Sequence, residues 1–242
     1  MAMIYCEGHR GCKKLYPENT LLSYRKAIEM GVDAVEFDVW LSADGVPVIM
    51  HDENAYRTCG VDRKLTEMTY DEIRKLDPCC ASEFGDRFRG QHVPTLREIL
   101  ELVNELRPDG TFRLGVEIKH YTEQTVDVTV ALLKEYGIFE RCWFYAFNGR
   151  IIRYLKTEYN ARTMAYPDFL MQEFDGYDCY DELGIRLSIA KSELMPFYKS
   201  KGLPIHIYCA DTEEDVRFCI EQGAMLITAN DPRPLLKIVK GI

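Results

Sequence analysis

Short runs of β-branched and aromatic residues alternate along this chain with stretches whose apolar positions recur at helical spacing, the pattern of βα units wound around a parallel sheet. Residues 3–9 read as the first strand. Residues 18–30 read as a helix, with Leu21, Tyr24, Ala27 and Ile28 on one side and Gly31 just past its end. Residues 34–41 form a second strand, Ala43-Asp44-Gly45 a turn, and 46–50 the returning arm of a hairpin. The stretch 52–94 then breaks the rhythm, being rich in charge, Gly, Pro and Cys with one short helical pattern from Thr69 to Leu76. An interval that long inside a compact domain reads as a functional insertion.

Beyond it, strands are expected at 113–119, 141–147, 162–166, 184–190, 204–209 and 225–229. Helices fall at 96–106, 122–136, 148–159, 191–201, 212–222 and 232–240, and 167–183 is irregular. Without the hairpin arm, eight strands remain, which fits a (β/α)8 TIM barrel with a small insertion after the second strand. The active site of such a barrel lies at the carboxyl ends of its strands. A doubly wound open sheet is the alternative, and it lacks the glycine-rich phosphate loop that such sheets use.

A chain of 242 residues with 47% hydrophobic content can bury one full core, so a single domain over 1–242 is expected. The net charge of -9 excludes the basic footprint that non-specific nucleic-acid binding needs. The start carries no basic segment followed by a long apolar run, and no run approaches a membrane span, so neither secretion nor stable membrane insertion is expected. Nine cysteines without a C-x-x-C read as reduced thiols of a cytoplasmic protein. Cys79-Cys80, placed in a loop, reads as an oxidation liability.

The first fifth of the chain concentrates titratable chemistry. His9-Arg10-Gly11 closes the first strand, Glu36-Phe37-Asp38 lies in the second, and His51-Asp52 follows the hairpin. Side chains alternate along a strand, so Glu36 and Asp38 share one face while Val35, Phe37 and Val39 take the other. Two carboxylates held that close repel unless a cation sits between them, and a hard divalent ion takes such oxygens. Arg113 to Lys119 repeats the arrangement, adding Glu117 and, beside it, Lys119. A cation with Arg10 and Lys119 would supply the local positive charge that a phosphodiester needs on an acidic protein.

These residues resemble the glycerophosphodiester phosphodiesterases. The matching segments, in order, are His9-Arg10-Gly11, Pro17-Glu18-Asn19-Thr20, Glu36-Phe37-Asp38-Val39, Asp44 to Asp52, Val93-Pro94-Thr95-Leu96 and Glu117-Ile118-Lys119. Weaker similarity continues from Ala146-Phe147-Asn148 to Leu226-Ile227-Thr228. The resemblance implies one divalent cation, Mg²⁺ or Ca²⁺, on Glu36, Asp38 and Glu117. It implies His9 and His51 as the general acid/base pair, Arg10 and Lys119 as phosphate ligands, and a place in glycerol and lipid metabolism. Two segments depart from the family pattern: Tyr208 stands where many members have tryptophan, and Thr228-Ala229-Asn230-Asp231 where many have Thr-Asp.

The reaction expected is hydrolysis of a glycerophosphodiester to glycerol 3-phosphate and an alcohol. One histidine would deprotonate the glycerol 2-hydroxyl, the other would protonate the departing alcohol, and water would open the resulting cyclic phosphate. Direct attack by water activated at the cation is the competing route. The alternatives are a lysophospholipase D-like hydrolase, which needs an apolar channel, and a phosphate-ligand binding barrel without catalysis.

Several residues have structural readings beside functional ones. Arg10 could cap a helix or pair with Glu18, and Glu18 and Asn19 read as a helix start. Phe147 and Tyr208 either line the pocket for the glycerol portion or pack in the core. Phe84, Phe88 and Arg89 either cover the site or form solvated surface. His92, His120 and His206 receive no role.

Overall fold

The computed structural model describes residues 3–242. Its strands are β1 (Tyr5–His9), β2 (Ala34–Leu41), β3 (Pro47–Ile49), β4 (Arg113–Ile118), β5 (Cys142–Tyr145), β6 (Thr163–Ala165), β7 (Glu182–Arg186), β8 (Ile205–Tyr208) and β9 (Leu226–Ala229). Eight run parallel in the order β1-β9-β8-β7-β6-β5-β4-β2, and pairing of β1 with β2 closes the ring. β3 lies antiparallel against β2 as the hairpin arm. This is the (β/α)8 barrel that the element pattern predicts.

Alternation along the strands divides the chemistry. Val35, Phe37 and Val39 of β2 and Leu114, Val116 and Ile118 of β4 are fully buried in the main apolar cluster that also holds the helices' inner faces. Their neighbours Glu36, Asp38 and Glu117 are set on the other side. Register brings these together: His9 lies opposite Glu36, Glu36 opposite Gly115, and Asp38 opposite Glu117. A one-residue slip would turn every carboxylate outward.

Cap residues fix the loops above the strands. Thr20, Thr95, Thr122, Asn148 and Thr212 each accept a backbone N–H three residues on, closing the first turn of the helix that follows. Each such cap is worth about 1 kcal/mol.

Three expectations are corrected. The first long helix is Leu21–Met30, capped by Thr20, so Glu18 and Asn19 precede it rather than begin it. The expected strand 184–190 is Glu182–Arg186, followed by a helical turn at Leu187–Ala190. Asp181 accepts the Thr163 N–H at 2.8 Å and pairs with Lys156, which starts this strand early, and an apolar run so short cannot separate strand from helix by period. The helix expected at 191–201 contracts to Met195–Lys199.

The insertion is more ordered than its composition suggests. It holds helical turns at Tyr56–Cys59, Leu65–Glu67, Tyr70–Ile73 and Ala81–Phe84. Val48, Met50, Ala55, Leu65, Met68, Ile73, Leu76 and Val93 give it a separate small core. Cys79 and Cys80 are both buried, which removes the expected oxidation liability. Among the described residues no helix is long and apolar enough to cross a membrane.

Candidate active site

Glu36, Asp38 and Glu117 each offer a carboxylate oxygen, and these three atoms lie within 4.8 Å of one another. All three residues are buried. Burial and the neighbouring Asp38 charge push the Glu36 carboxyl well above its ordinary range, and burial also raises Glu117. Asp38 goes the other way: burial would raise it, but Arg10 and Lys119 outweigh that and hold it low. Glu36 Oε1 and Asp38 Oδ1 have no hydrogen-bond donor although both atoms are buried. Buried acceptors left without a partner are costly, and a cation of oxygen preference would satisfy both. The donor set therefore fits one divalent ion.

The positive side chains are placed against this cluster. Arg10 Nε is 3.3 Å from Asp38, and Lys119 Nζ is 3.0 Å from Glu117 and 3.8 Å from Asp38. Three carboxylates against two cations leave one net negative charge, so a divalent ion makes the centre net positive and suited to an anionic diester. Arg10 reaches this place because the chain turns sharply after β1, with Arg10 at φ 50 and Gly11 at φ 88. A Cβ on Gly11 would stand 2.4 Å from Ser23 Oγ, so only glycine fits the turn.

Two imidazoles flank the cluster. His9 Nδ1 is 2.7 Å from Asn230 Oδ1, and Asn230 Nδ2 in turn donates to Asp211 at 2.7 Å. That second bond fixes the amide, so His9 Nδ1 carries the proton and Nε2, 3.8 Å from Glu36, is left as the acceptor. Burial, then Arg10 and Lys13, push the His9 pKa down to about 3. His51 Nδ1 is 2.6 Å from Asp52 Oδ1, which likewise leaves Nε2 for the cavity.

The structure adds a chain of contacts that sequence reasoning did not find. Arg57, from the insertion, donates twice to Glu18 at 2.7 and 2.9 Å and once to Asp52 at 2.5 Å. Glu18 also accepts from Arg10 at 3.0 Å. Burial would raise the Glu18 carboxyl, yet Arg57 and Arg10 bring it down to about 2. Asn19 donates to Asp38 at 2.9 Å and accepts from Tyr24. The pairing of Arg10 with Glu18 is thus present, and the helix-start reading of Glu18 and Asn19 gives way to these side-chain roles. Arg57 ties the partner of His51 to the partner of Arg10. Arg57→Ala should lower kcat/KM about 10- to 100-fold, the usual cost of losing groups behind active side chains, and should also lower Tm because the buried Glu18 carboxylate loses two donors. Unchanged kinetics would show that the insertion does not position the site.

A cavity of about 480 Å³ opens over the cluster, lined among others by His9, Arg10, Glu36, His51 and Glu117. Phe147 and Tyr208 both line it, and Lys119, which is not part of the lining, lies over the Phe147 ring. Phe84 and Phe88 do not reach it: Phe88 packs on Tyr16 at 5.5 Å and on Phe84 at 5.3 Å, and Arg89 pairs with Asp86 on the surface. The floor is polar. Glu7 accepts from Thr228 at 2.7 Å and Tyr145 at 3.2 Å, and His206 Nε2 lies 2.5 Å from Glu182. His206 is therefore a buried neighbour of Glu182 within the barrel, which no local motif signals. His120 stacks on Trp40 and His92 pairs with Glu98, both away from the cavity.

The fold and the groups gathered at the strand ends define a barrel enzyme with an acidic, cation-ready centre. The chain belongs to the glycerophosphoryl diester phosphodiesterase family, whose profile matches residues 9–233. It is 30% identical to a glycerophosphodiester phosphodiesterase of Caldanaerobacter subterraneus over 96% of each chain. Among solved structures, a glycerophosphodiester phosphodiesterase of Agrobacterium tumefaciens is 26% identical, covers 97% of this chain and 98% of its own, and superposes with a TM-score of 0.78. A phosphodiesterase of Oleispira antarctica, solved with its product sn-glycerol 3-phosphate, shares the fold with a TM-score of 0.83 at 24% identity over 99% of this chain and 98% of its own.

Proposed function

We propose that this enzyme hydrolyses glycerophosphodiesters to glycerol 3-phosphate and an alcohol, with His9 and His51 as its acid/base pair. The observation that carries the reading is the convergence of three carboxylates within 4.8 Å between two imidazoles whose Nδ1 atoms are both engaged. The relative at 30% identity is named for this activity.

Glu36, Asp38 and Glu117 would hold one divalent cation, Mg²⁺ or Ca²⁺, and when bound it supplies charge neutralisation for the phosphate oxygens. Arg10, buried at the cavity wall, adds a fixed positive charge there, and Lys119 adds another beside Glu117 and Asp38. The order of proton transfers follows from the partners of the two rings. His9 donates its Nδ1–H to the Asn230 amide oxygen, which orients the ring and leaves Nε2 as the acceptor, so His9 Nε2 takes the proton of the glycerol 2-hydroxyl. His51 is held through Nδ1 by the Asp52 carboxylate, which aims Nε2 at the cavity, so His51 gives its proton to the leaving alkoxide oxygen. The 2-oxygen forms its bond to phosphorus as the bond to the alcohol breaks, leaving a cyclic phosphate. Water then opens the ring with the roles exchanged: His51 takes the water proton and His9 returns one to the 2-oxygen.

The polar floor supports a water-soluble substrate over a lysolipid, since Glu7 and His206 set polar groups in the lining of the cavity. All nine cysteines are unpaired, which supports a reducing, cytoplasmic setting. We take 1–242 as one functional unit, with 52–94 as its insertion.

The deciding assay measures glycerol 3-phosphate release from glycerophosphocholine, glycerophosphoethanolamine and glycerophosphoglycerol, after chelation and after return of Mg²⁺, Ca²⁺ or Mn²⁺. Release that the chelator abolishes and a cation restores is expected. Activity insensitive to chelation would remove the cation from the mechanism.

A further inference from the structure

Two cationic side chains at the cavity take no part in the steps above. Lys13, half-buried in the turn after β1, and Arg186, the exposed last residue of β7, both line the cavity. Among the described residues, neither side chain forms an ion pair or a hydrogen bond. The carboxylates that line the cavity are engaged elsewhere: Glu36 and Glu117 belong to the cation cluster, and Glu7 is held by Thr228 and Tyr145. Asp211, beneath Asn230, spends its oxygens on the Asn230 amide and on the backbone N–H groups of Asn230 and Asp231. Counting Asp211 against Lys13 and Arg186, this side of the rim carries two cations and one carboxylate, although the protein as a whole is acidic.

The aromatic wall does not reverse that preference. Phe147 stacks flat on Tyr166 at 4.0 Å, and the Lys119 ammonium already lies over its ring at 5.9 Å, a like charge that disfavours a quaternary ammonium there. Tyr166 is buried between Phe147 and Tyr208. The Tyr208 hydroxyl lines the same side and is buried without a partner, a donor waiting for an acceptor or a hydroxyl.

We propose that the alcohol portion of the diester is an anionic, hydroxyl-bearing group, selected by Arg186 and Lys13 over a cationic head group such as choline. This deepens the diesterase reading of the same site and rests on it. The common glycerol portion occupies the inner cavity, and the variable portion meets the outer cations and the Tyr208 hydroxyl.

The test compares kcat/KM for three glycerophosphodiesters whose alcohol portions are choline, glycerol and inositol phosphate, at low and high ionic strength. The expected order is inositol phosphate, glycerol, choline, with a ratio of about tenfold or more between the first and last at low salt. The ratio should shrink as salt rises, because exposed charges are screened. Arg186→Gln with Lys13→Gln should bring the ratio near one through KM, and Arg186→Glu should favour choline. Turnover of all three diesters without charge preference, or a ratio unmoved by these substitutions, overturns this proposal alone. Turnover of none overturns it together with the diesterase reading.

Discussion

His51→Ala is expected to lower kcat on a glycerophosphodiester by about 10²- to 10⁴-fold, the usual worth of a positioned general acid or base. The loss should be chemical and not structural, because His51 is partly exposed and its ring makes one strong contact, to Asp52. His9→Ala should cost a similar factor. The two variants separate when the leaving group is changed. A diester of p-nitrophenol leaves without protonation, so it should recover much of the rate lost in His51→Ala and little of that lost in His9→Ala. The reverse recovery would exchange the two roles, and near-normal turnover of ordinary diesters by either variant would remove that histidine from the reaction.

The barrel and its centre were legible in the sequence for one reason: period-two alternation in β2 and β4 places carboxylates on the face opposite a continuous apolar row. Asp38 and Glu117 meet because the register sets them side by side, and spacing within each strand already implied their common face. What escaped was contact made across the fold. Arg57 sits in an insertion whose composition reads as solvated surface, yet its guanidinium bridges Glu18 and Asp52. Asn230 looked like a departure from a family pattern, and it turns out to orient His9. His206 and Glu182 come from neighbouring strands with no shared motif, and each alone reads as an isolated polar residue. Glu18 and Asn19 misled for a different reason: their types suit a helix start, but tertiary contacts to Arg10, Arg57 and Asp38 outweighed that local preference.

Adding Mg²⁺ or Ca²⁺ to metal-free protein should raise Tm, and Glu36→Gln should remove most of that rise. A cation at a hundredfold excess over its Kd stabilises by about 2.7 kcal/mol, and about 2–4 °C of Tm follows each kcal/mol at this size. In the metal-free protein the same substitution should be stabilising, since it relieves repulsion between Glu36 and Asp38, and one buried amide replaces a charge that has no donor at Oε1. The pH dependence has a definite sign. Burial and nearby carboxylates place the folded-state pKa of Glu36 above its unfolded value, and burial does the same for Glu117. The folded state therefore holds protons that the unfolded chain has released. The associated stability is complete below the ordinary glutamate value of about 4.3 and is lost as pH rises through the folded-state values. Metal-free Tm should fall across that window while the cation-induced rise grows, and Glu36→Gln should flatten both trends. A cation shift of full size in both Glu36→Gln and Glu117→Gln would place the ion elsewhere, because neither carboxylate could then be one of its ligands.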